Sequence, residues 1–257
     1  MTEGEQQGEG AMPLQVTEAG AGDVDPVLSV DGVTRIFSNG QGVAEVSFAV
    51  APGEVVGLCG VSGCGKSTLL RLIAGRERPD TGTVTRSCRR LGMVFQDPHL
   101  LPWLTAQGNV ELVLCREDRP QAYEALRRVG LAGSEDRYPA QLSGGMRQRV
   151  GIARALAGHP DLLLMDEPFS SLDYFNRMEL MALLRERVLG TGIAVVFVSH
   201  DVREVAQMCH RVLILGGMPG RVRDELAPPS RGHERPGAMA NLEARILKAI
   251  RDDRAYA

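Results

Sequence analysis

The chain has 257 residues, of which 44% are hydrophobic and 24% are charged, the composition of an ordinary globular protein. Its formal net charge is -3, so there is no basic excess to indicate nucleic-acid binding. The five cysteines form no CxxC pair and no metal-ligand spacing, which argues against a disulfide framework and favours a reducing compartment. We also expect no signal peptide and no membrane span, so any membrane role is expected to depend on a partner.

The first part of the chain passes from a polar start to the first apolar elements. Residues 1–26 are polar and rich in glycine, which predicts a disordered tail. Residues 55–59 form a short apolar run typical of a buried strand. Residues 66–74 have the apolar spacing of a helix that ends at Gly75. We therefore predict a strand, a loop and a helix in succession.

Short apolar runs recur later in the chain, at residues 91–95, 162–165, 193–198 and 212–215. A helical pattern lies between two of them, at residues 177–189. Strands that alternate with helices predict a parallel sheet that is covered on both faces.

The stretch between the first two of these apolar runs, from residue 96 to about residue 159, lacks the strand pattern. It contains helical patterns at residues 121–129 and 145–156. We interpret the residues from about 97 to 159 as a helical subdomain inserted into the α/β core. From residue 218 the chain is interpreted as a separate tail, in which residues 223–257 form a linker and an amphipathic helix. One face of that helix is predicted to carry Leu242, Ile246, Ala249 and Ile250.

A glycine-rich segment between the first predicted buried strand and helix fits the pattern G-x-x-x-x-G-K-[ST]. Glycines let several backbone N–H groups point at one phosphate chain, and the helix N-terminus adds partial positive charge. Lys66 would approach the β- and γ-phosphates, and Ser67 would offer a hydroxyl to Mg²⁺. Kinases, GTPases and motor proteins share this pattern, so by itself it indicates only a P-loop nucleotide-binding protein. The predicted phosphate-binding residues are Gly60, Val61, Ser62, Gly63, Cys64, Gly65, Lys66, Ser67 and Thr68.

Two acids, Asp166 and Glu167, follow the apolar run at residues 162–165. In open α/β sheets ligands bind at the edge where the parallel strands end. Asp166 is therefore predicted to hold Mg²⁺ and its hydration shell, and Glu167 to act as the general base for the attacking water. An acidic turn after a strand is the alternative interpretation, which the upstream phosphate loop disfavours.

Residues 141–149 resemble the LSGGQ signature of ABC ATPases, with Met146 where glutamine often stands. This segment lies just upstream of the Asp166–Glu167 pair, as it does in that family. Further motifs of the family are matched in the same order by Phe37 (the adenine-stacking aromatic), Gln96 (the Q-loop), Asp173 (the D-loop) and His200 (the switch histidine). Taken alone, Phe37 is also explained as a core aromatic, Gln96 as a strand end, and His200 as a neutral polar residue.

The resemblance implies a fold and an assembly. The fold would be an α/β P-loop NTPase domain over residues 27–222, with a mixed or parallel sheet core, an antiparallel β subdomain and the inserted helical subdomain. The assembly would be a head-to-tail dimer with ATP and Mg²⁺ between the subunits. Glu167 and His200 would act on the ATP of their own subunit. Ser143, Gly144, Gly145 and Asp173 would reach the ATP of the partner, and Ser67, Gln96 and Asp166 would coordinate Mg²⁺.

The segment after Gln96 carries several apolar side chains, including the chain's one tryptophan, Trp103. They either pack within the helical subdomain or line a groove that receives a short helix of a permease. Residues 100–105, Asn109 and residues 219–222 resemble importer ATPases for nitrate, sulfonate, taurine and bicarbonate. The chain departs from that group after Asp173, where Tyr174 and Phe175 replace its usual alanine-containing sequence.

The function implied by the resemblance is the ATPase subunit of an importer, peripheral on the cytoplasmic face of the cell membrane. Its partners would be a second ATPase subunit, a permease and, indirectly, a periplasmic or lipid-anchored solute-binding protein. An exporter or a lipoprotein-release system is an alternative. A soluble ABC protein acting on DNA repair or on ribosomes is disfavoured, because the chain shows no heptads and no second phosphate loop, and no nucleic-acid partner is expected.

Overall fold

The computed structural model describes residues 25–188, 190–227 and 238–254. Nearly all of the predicted tail at 1–26, and the part of the predicted linker at 228–237, lie outside these residues. Among the described helices, none is both long enough and apolar enough to cross a membrane.

The described strands form two sheets, one of six strands and one of three. We call them the central sheet, in the order β5-β6-β7-β3-β8-β9, and the antiparallel sheet, in the order β2-β1-β4. The strands are β1 (Leu28–Ile36), β2 (Gly42–Val50), β3 (Val55–Gly60), β4 (Thr81–Arg86), β5 (Leu91–Val94), β6 (Leu162–Asp166), β7 (Ala194–Val198), β8 (Arg211–Gly216) and β9 (Arg221–Leu226). The helices are α1 (Lys66–Ile73), α2 (Ala106–Glu111), α3 (Gln121–Arg128), α4 (Gly144–Ala157), α5 (Tyr174–Val188), α6 (Val202–Met208) and α7 (Ala238–Arg254), with a 3-10 turn at Pro139–Gln141.

Five strands of the central sheet, β5, β6, β7, β3 and β8, run parallel. Every residue of β3 and β7 is buried, because apolar cores cover the sheet on both faces. One core joins the sheet to helices α2–α7, and the other joins it to α1 and the antiparallel sheet. Strands buried on both faces read as continuous apolar runs, so the prediction of these strands is confirmed.

The predicted boundary at residue 222 is wrong, and so is the separate tail from residue 218. Residue 222 lies inside β9, which pairs antiparallel with β8 and forms an edge of the central sheet. The sequence of β9 carries charged residues at four of its six positions, and only Leu226 is fully buried. An exposed edge strand of this kind has no apolar run to reveal it. Within α7, Leu242 and Ile246 are buried as predicted, whereas the side chains of Ala249 and Ile250 lie outside the described residues.

Between β5 and β6 the described elements are all helical, namely α2, α3, the 3-10 turn and α4. We continue to interpret this stretch as an inserted helical subdomain. The buried Asn109 organises the loop before α2. Its amide nitrogen donates to the carbonyls of Leu101, Leu104 and Thr105, and its amide oxygen accepts from the N–H of Leu101. Asn109 therefore fixes the path of the chain around Trp103.

Candidate functional site

The glycine-rich loop joins the end of β3 to the start of α1. Gly65 has φ 95°, a left-handed conformation that favours glycine, and an added Cβ would lie 2.3 Å from the carbonyl oxygen of Gly42. The Lys66 ammonium donates to the carbonyl oxygens of Gly60 and Val61, each at 2.9 Å. The positive charge is thereby held against the loop that the sequence predicts to cradle phosphates.

Within the loop the exposed and buried positions are clearly separated. Ser62 and Gly63 are exposed at its tip, whereas Cys64 is buried and belongs to the apolar core beneath α1. Ser67 is half-buried and Thr68 is buried in the first turn of α1. This arrangement fits the interpretation of Cys64 as a small residue that fills space below the loop.

The predicted metal ligands come from neighbouring elements. The Ser67 hydroxyl lies 3.5 Å from Oδ1 of Asp166, which ends β6. Burial raises the pKa of the Asp166 carboxyl, and the Ser67 hydroxyl and the cations of Lys66 and Arg71 partly oppose that shift. Gln96 is exposed and follows β5, the parallel neighbour of β6, so it reaches the same edge of the sheet.

Glu167 and His200 form a pair at the ends of β6 and β7. Oε2 of Glu167 lies 3.2 Å from Nδ1 of His200. The Glu167 N–H donates to the carbonyl of Val198 at 2.9 Å, and the residue has φ 45°, which is uncommon for a residue with a side chain. The strands therefore hold the acid in one conformation at the edge where Ser67 and Asp166 meet.

The predicted signature and D-loop residues lie at the starts of two helices. Ser143 caps α4, where its hydroxyl accepts from the N–H of Met146 at 3.2 Å. Gly144 and Gly145 form the first positions of α4. A Cβ added to Gly145 would lie 3.0 Å from the Leu172 side chain, so the signature adjoins the D-loop of the same subunit.

Asp173 is exposed at the start of α5. Its carboxylate accepts from the backbone N–H and the side-chain amide of Asn176, at 3.1 and 2.6 Å. These two hydrogen bonds lower the pKa of the Asp173 carboxyl and keep it ionised. An ordered negative charge is thus presented to solvent beside the signature.

Phe37 lies in the turn between β1 and β2, half-buried and outside both apolar cores. The guanidinium carbon of Arg35 lies 4.9 Å from the centre of its ring. Arg35 is in turn held by Asp80 at 2.7 Å and Glu77 at 3.5 Å. The alternative that Phe37 is a core aromatic is therefore wrong.

Comparison with known proteins identifies the class. Residues 43–170 match the family described as ABC transporter. The aliphatic sulfonates import ATP-binding protein SsuB 1 of Pseudomonas aeruginosa (strain UCBPP-PA14) is 44% identical over 217 residues, which cover 79% of this chain and 87% of that protein. The aliphatic sulfonates import ATP-binding protein SsuB of Cupriavidus necator is 40% identical over 254 residues, covering 94% and 82% respectively. The chain belongs to the ABC transporter family.

A solved structure agrees with this membership. The dimeric post-hydrolysis state of the ATP-binding cassette MJ0796, bound to ADP and Pi, has a TM-score of 0.71 and 31% identity, and the match covers 79% of this chain and 99% of that one. The predicted ABC-type fold is confirmed, and the protein is an ATPase of the ABC family. The roles of individual residues in this ABC ATPase stay predictions.

Sequence reasoning missed a contact that supports the phosphate loop of the ABC cassette. An added Cβ on Gly220, just before β9, would lie 1.8 Å from the carbonyl oxygen of Cys64. The Gly220 N–H donates to the carbonyl of Gly42, and its own carbonyl accepts from the N–H of Ala44, at 2.9 and 2.8 Å. The turn between β8 and β9 therefore closes against the back of the loop. The one signal in the sequence is the glycine itself, and a glycine alone does not identify the group that packs against it.

Proposed function

We propose that this chain is one of two ATPase subunits that drive the import of a small anion of the nitrate, sulfonate, taurine or bicarbonate kind through a separate permease. The observation that carries the proposal is the identity of 40–44% to relatives named as aliphatic sulfonate import ATP-binding proteins. The chain would act as a peripheral subunit on the cytoplasmic face of the cell membrane, with a periplasmic or lipid-anchored binding protein delivering the solute.

The site residues fit a magnesium–nucleotide complex. Mg²⁺ prefers oxygen ligands, and the Ser67 hydroxyl and Asp166 carboxylate bring two such donors to within 3.5 Å of each other. We assign Ser67, Asp166 and the amide of Gln96 to the ion. When bound, it would neutralise charge on the phosphate oxygens.

The remaining chemistry falls to this chain's own side chains. The loop N–H groups and Lys66 would hold the phosphates, and Phe37 would stack on the adenine. The Glu167 carboxylate would take a proton from the attacking water. His200, in contact with Glu167 at 3.2 Å, would fix the orientation of that carboxylate and donate to the reacting phosphate.

In this proposal the signature acts on the nucleotide of a second subunit. Ser143, Gly144 and Gly145 lie at the start of a helix, where free N–H groups can bind a phosphate. They would bind the ATP that is held by the partner subunit. Beside Asp173 the rings of Tyr174 and Phe175 are 65% and 82% exposed, with their centres 5.8 Å apart. Adjoining exposed aromatic rings mark interaction surfaces, and a dimer would cover them. The similar MJ0796 cassette is described as dimeric.

A groove between the helical stretch and the central sheet fits a permease helix. It is a cavity of about 780 Å³, and its apolar wall includes Phe95, Leu112 and Val113. Leu112 and Val113 are exposed, and so is Trp103, at 68%. Within the segment after Gln96, Leu100 packs against the core that includes the helices, whereas Trp103 is left exposed. A short amphipathic helix of the permease would cover this surface.

The test is to purify the chain with its permease and measure ATP hydrolysis with candidate binding proteins loaded with sulfonate, taurine, nitrate or bicarbonate. Stimulation by one loaded binding protein is expected. Stimulation by the permease without any binding protein would contradict import and favour export. In the same preparation Leu112→Ala, which truncates an exposed side chain of the groove wall, should reduce copurification with the permease, whereas Tyr123→Ala, an exposed aromatic on α3, should not. Equal recovery of both variants would contradict the assignment of the groove.

A further inference from the structure

Arg177 joins the D-loop to the segment that carries the switch histidine. It lies on α5, and its Nη2 donates to the carbonyl of Leu172 at 3.2 Å. Its Nη1 donates to Oδ2 of Asp201 at 3.1 Å and lies 3.5 Å from Oε1 of Glu204. One guanidinium therefore contacts the residue before Asp173 and the residue after His200.

The His200 segment is tied to the same network on its other side. The Ser199 hydroxyl donates to Oε2 of Glu204 at 2.5 Å and accepts from the N–H of Asp201 at 3.0 Å. Oδ1 of Asp201 accepts from the N–H of Arg203 and caps α6. Both neighbours of His200 are thus held by polar groups, while its ring is left exposed and in contact with Glu167.

The network is partly buried, which limits how much net stability its charges contribute. The Arg177 side chain is 27% exposed, and Ser199 and Glu204 are buried. Burial raises the pKa of the Glu204 carboxyl, and the Ser199 hydroxyl and Arg177 oppose that shift. Because removing charges from water offsets most of their mutual attraction, such pairs contribute little net stability but impose a defined geometry.

We propose that Arg177 is a positioning residue for ATP hydrolysis. It fixes the His200 segment against the D-loop, so that the His200 imidazole stays in contact with the Glu167 carboxylate. The inference rests on the proposed roles of Glu167 and His200. In the proposed dimer Asp173 contacts the ATP of the partner subunit. Because Arg177 contacts both the D-loop and the His200 segment, it also connects the ATP site of one subunit to that of the other.

The chain offers a matched control in Arg211. Its guanidinium also contacts two carboxylates, Glu54 and Glu225, each at 2.9 Å, and the carbonyl of Ala49. Its side chain is 23% exposed, close to the value for Arg177. Arg211 begins β8, however, and so lies at the end of the central sheet opposite the strand ends that carry Glu167 and His200.

The experiment compares Arg177→Gln, Arg177→Lys and Arg211→Gln in the full chain. Arg177→Gln should lower kcat about tenfold to a hundredfold while the KM for ATP changes by less than about threefold. Arg177→Lys should recover part of the loss, and Arg211→Gln should leave kcat unchanged. Thermal unfolding of both glutamine variants provides the check that they are folded.

The decisive measurement adds Arg177→Gln to a His200→Ala background and follows a single turnover with enzyme in excess. If Arg177 acts through His200, the second substitution causes no further loss. A further loss by the same factor as in the native background would overturn the proposal, as would an equal loss of kcat in Arg211→Gln. Full activity of the single variant His200→Ala would instead contradict the role proposed for His200. Because that result comes from a different variant, it is distinguishable from a failure of the Arg177 proposal.

Discussion

Oε2 of Glu167 lies 3.2 Å from Nδ1 of His200, although 33 positions separate the two residues in the sequence. The contact follows from the register of two neighbouring strands. In the parallel pair β6–β7, Asp166 lies opposite Val198, so the residues that follow each strand emerge together. An acid and an imidazole are thus placed beside the Ser67–Asp166 pair by the sheet itself.

This placement predicts that Glu167→Gln keeps nucleotide binding and loses hydrolysis. The amide cannot accept the proton of the attacking water, so we expect kcat to fall by about 10²–10⁴-fold. Binding of a fluorescent ATP analogue should be unchanged, and size-exclusion chromatography with ATP should show a trapped dimer. Glu225→Gln, on the edge strand β9, is the control and should turn over ATP normally. Normal turnover by Glu167→Gln would rule out Glu167 as the general base.

The exposed aromatic pair predicts a contribution to that trapped dimer. In the Glu167→Gln background, replacing both Tyr174 and Phe175 with serine should weaken ATP-dependent dimerisation about tenfold, because the second subunit no longer gains their burial. Analytical ultracentrifugation measures the dissociation constant. Trp103→Ala in the same background removes an exposed aromatic outside the proposed interface and should have no effect. An unchanged constant for the serine variant would place the pair outside the dimer contact.

Gly220 is predicted to matter for nucleotide binding although it lies outside every motif. In Gly220→Ala the new methyl group would overlap the carbonyl of Cys64, which lies 1.8 Å from its position, and overpacking of this kind costs about 1–3 kcal/mol. The loop must shift, so both the unfolding temperature and the affinity for ATP should fall. Gly158→Ala is the matched control, because nothing lies within 4 Å of that position. Calorimetric titration with ATP would contradict the prediction if the two variants bound equally well.

Phe37 is predicted to recognise the base and not the phosphates. Loss of stacking in Phe37→Ala should weaken ATP binding by about 1–3 kcal/mol. Inorganic tripolyphosphate should bind the variant and the native chain alike. Ile36→Ala, the exposed neighbour in β1, serves as the control. An equal loss of affinity for both ligands would assign Phe37 to the shape of the turn instead.

The burial of Asp166 predicts a specific pH dependence. Burial raises the pKa of this carboxyl above its ordinary value, so the group protonates at a higher pH than an exposed aspartate does. Protonation abolishes a cation ligand, and the affinity for Mg²⁺ should therefore fall earlier on acidification. In the absence of Mg²⁺, the free energy of unfolding depends on pH in the opposite direction. The folded state binds the Asp166 proton more tightly than the unfolded chain does, so the contribution of this group to stability is lost as the pH rises through its folded-state pKa. Magnesium titrations at several pH values test this, with Asp166→Asn expected to lack the dependence; an identical profile in that variant would contradict it.

The central sheet could be predicted because burial on both faces leaves a direct trace in the sequence. Strand β6 is apolar at four successive positions and ends in Asp166, so both its existence and its functional end are visible. The motifs around Lys66 and Ser143 were equally visible, because backbone geometry there demands particular residues at fixed spacing.

Other features depend on partners that are distant in the chain and leave no local pattern. Strand β9 is held by hydrogen bonds to β8, not by an apolar face of its own. Gly220 is needed because the Cys64 carbonyl approaches it. Arg177 looks like any charged residue on a helix until Asp201 and Glu204 are brought beside it by the fold. In each case tertiary contact, not propensity, decides the role.

The turn between β8 and β9 has a practical consequence for engineering. Through Gly220 it is bonded to Gly42 and Ala44 and lies against the phosphate loop. A short reporter peptide inserted at residues 217–219 would therefore be displaced whenever that loop moves. The turn is a suitable place to build a sensor of nucleotide occupancy.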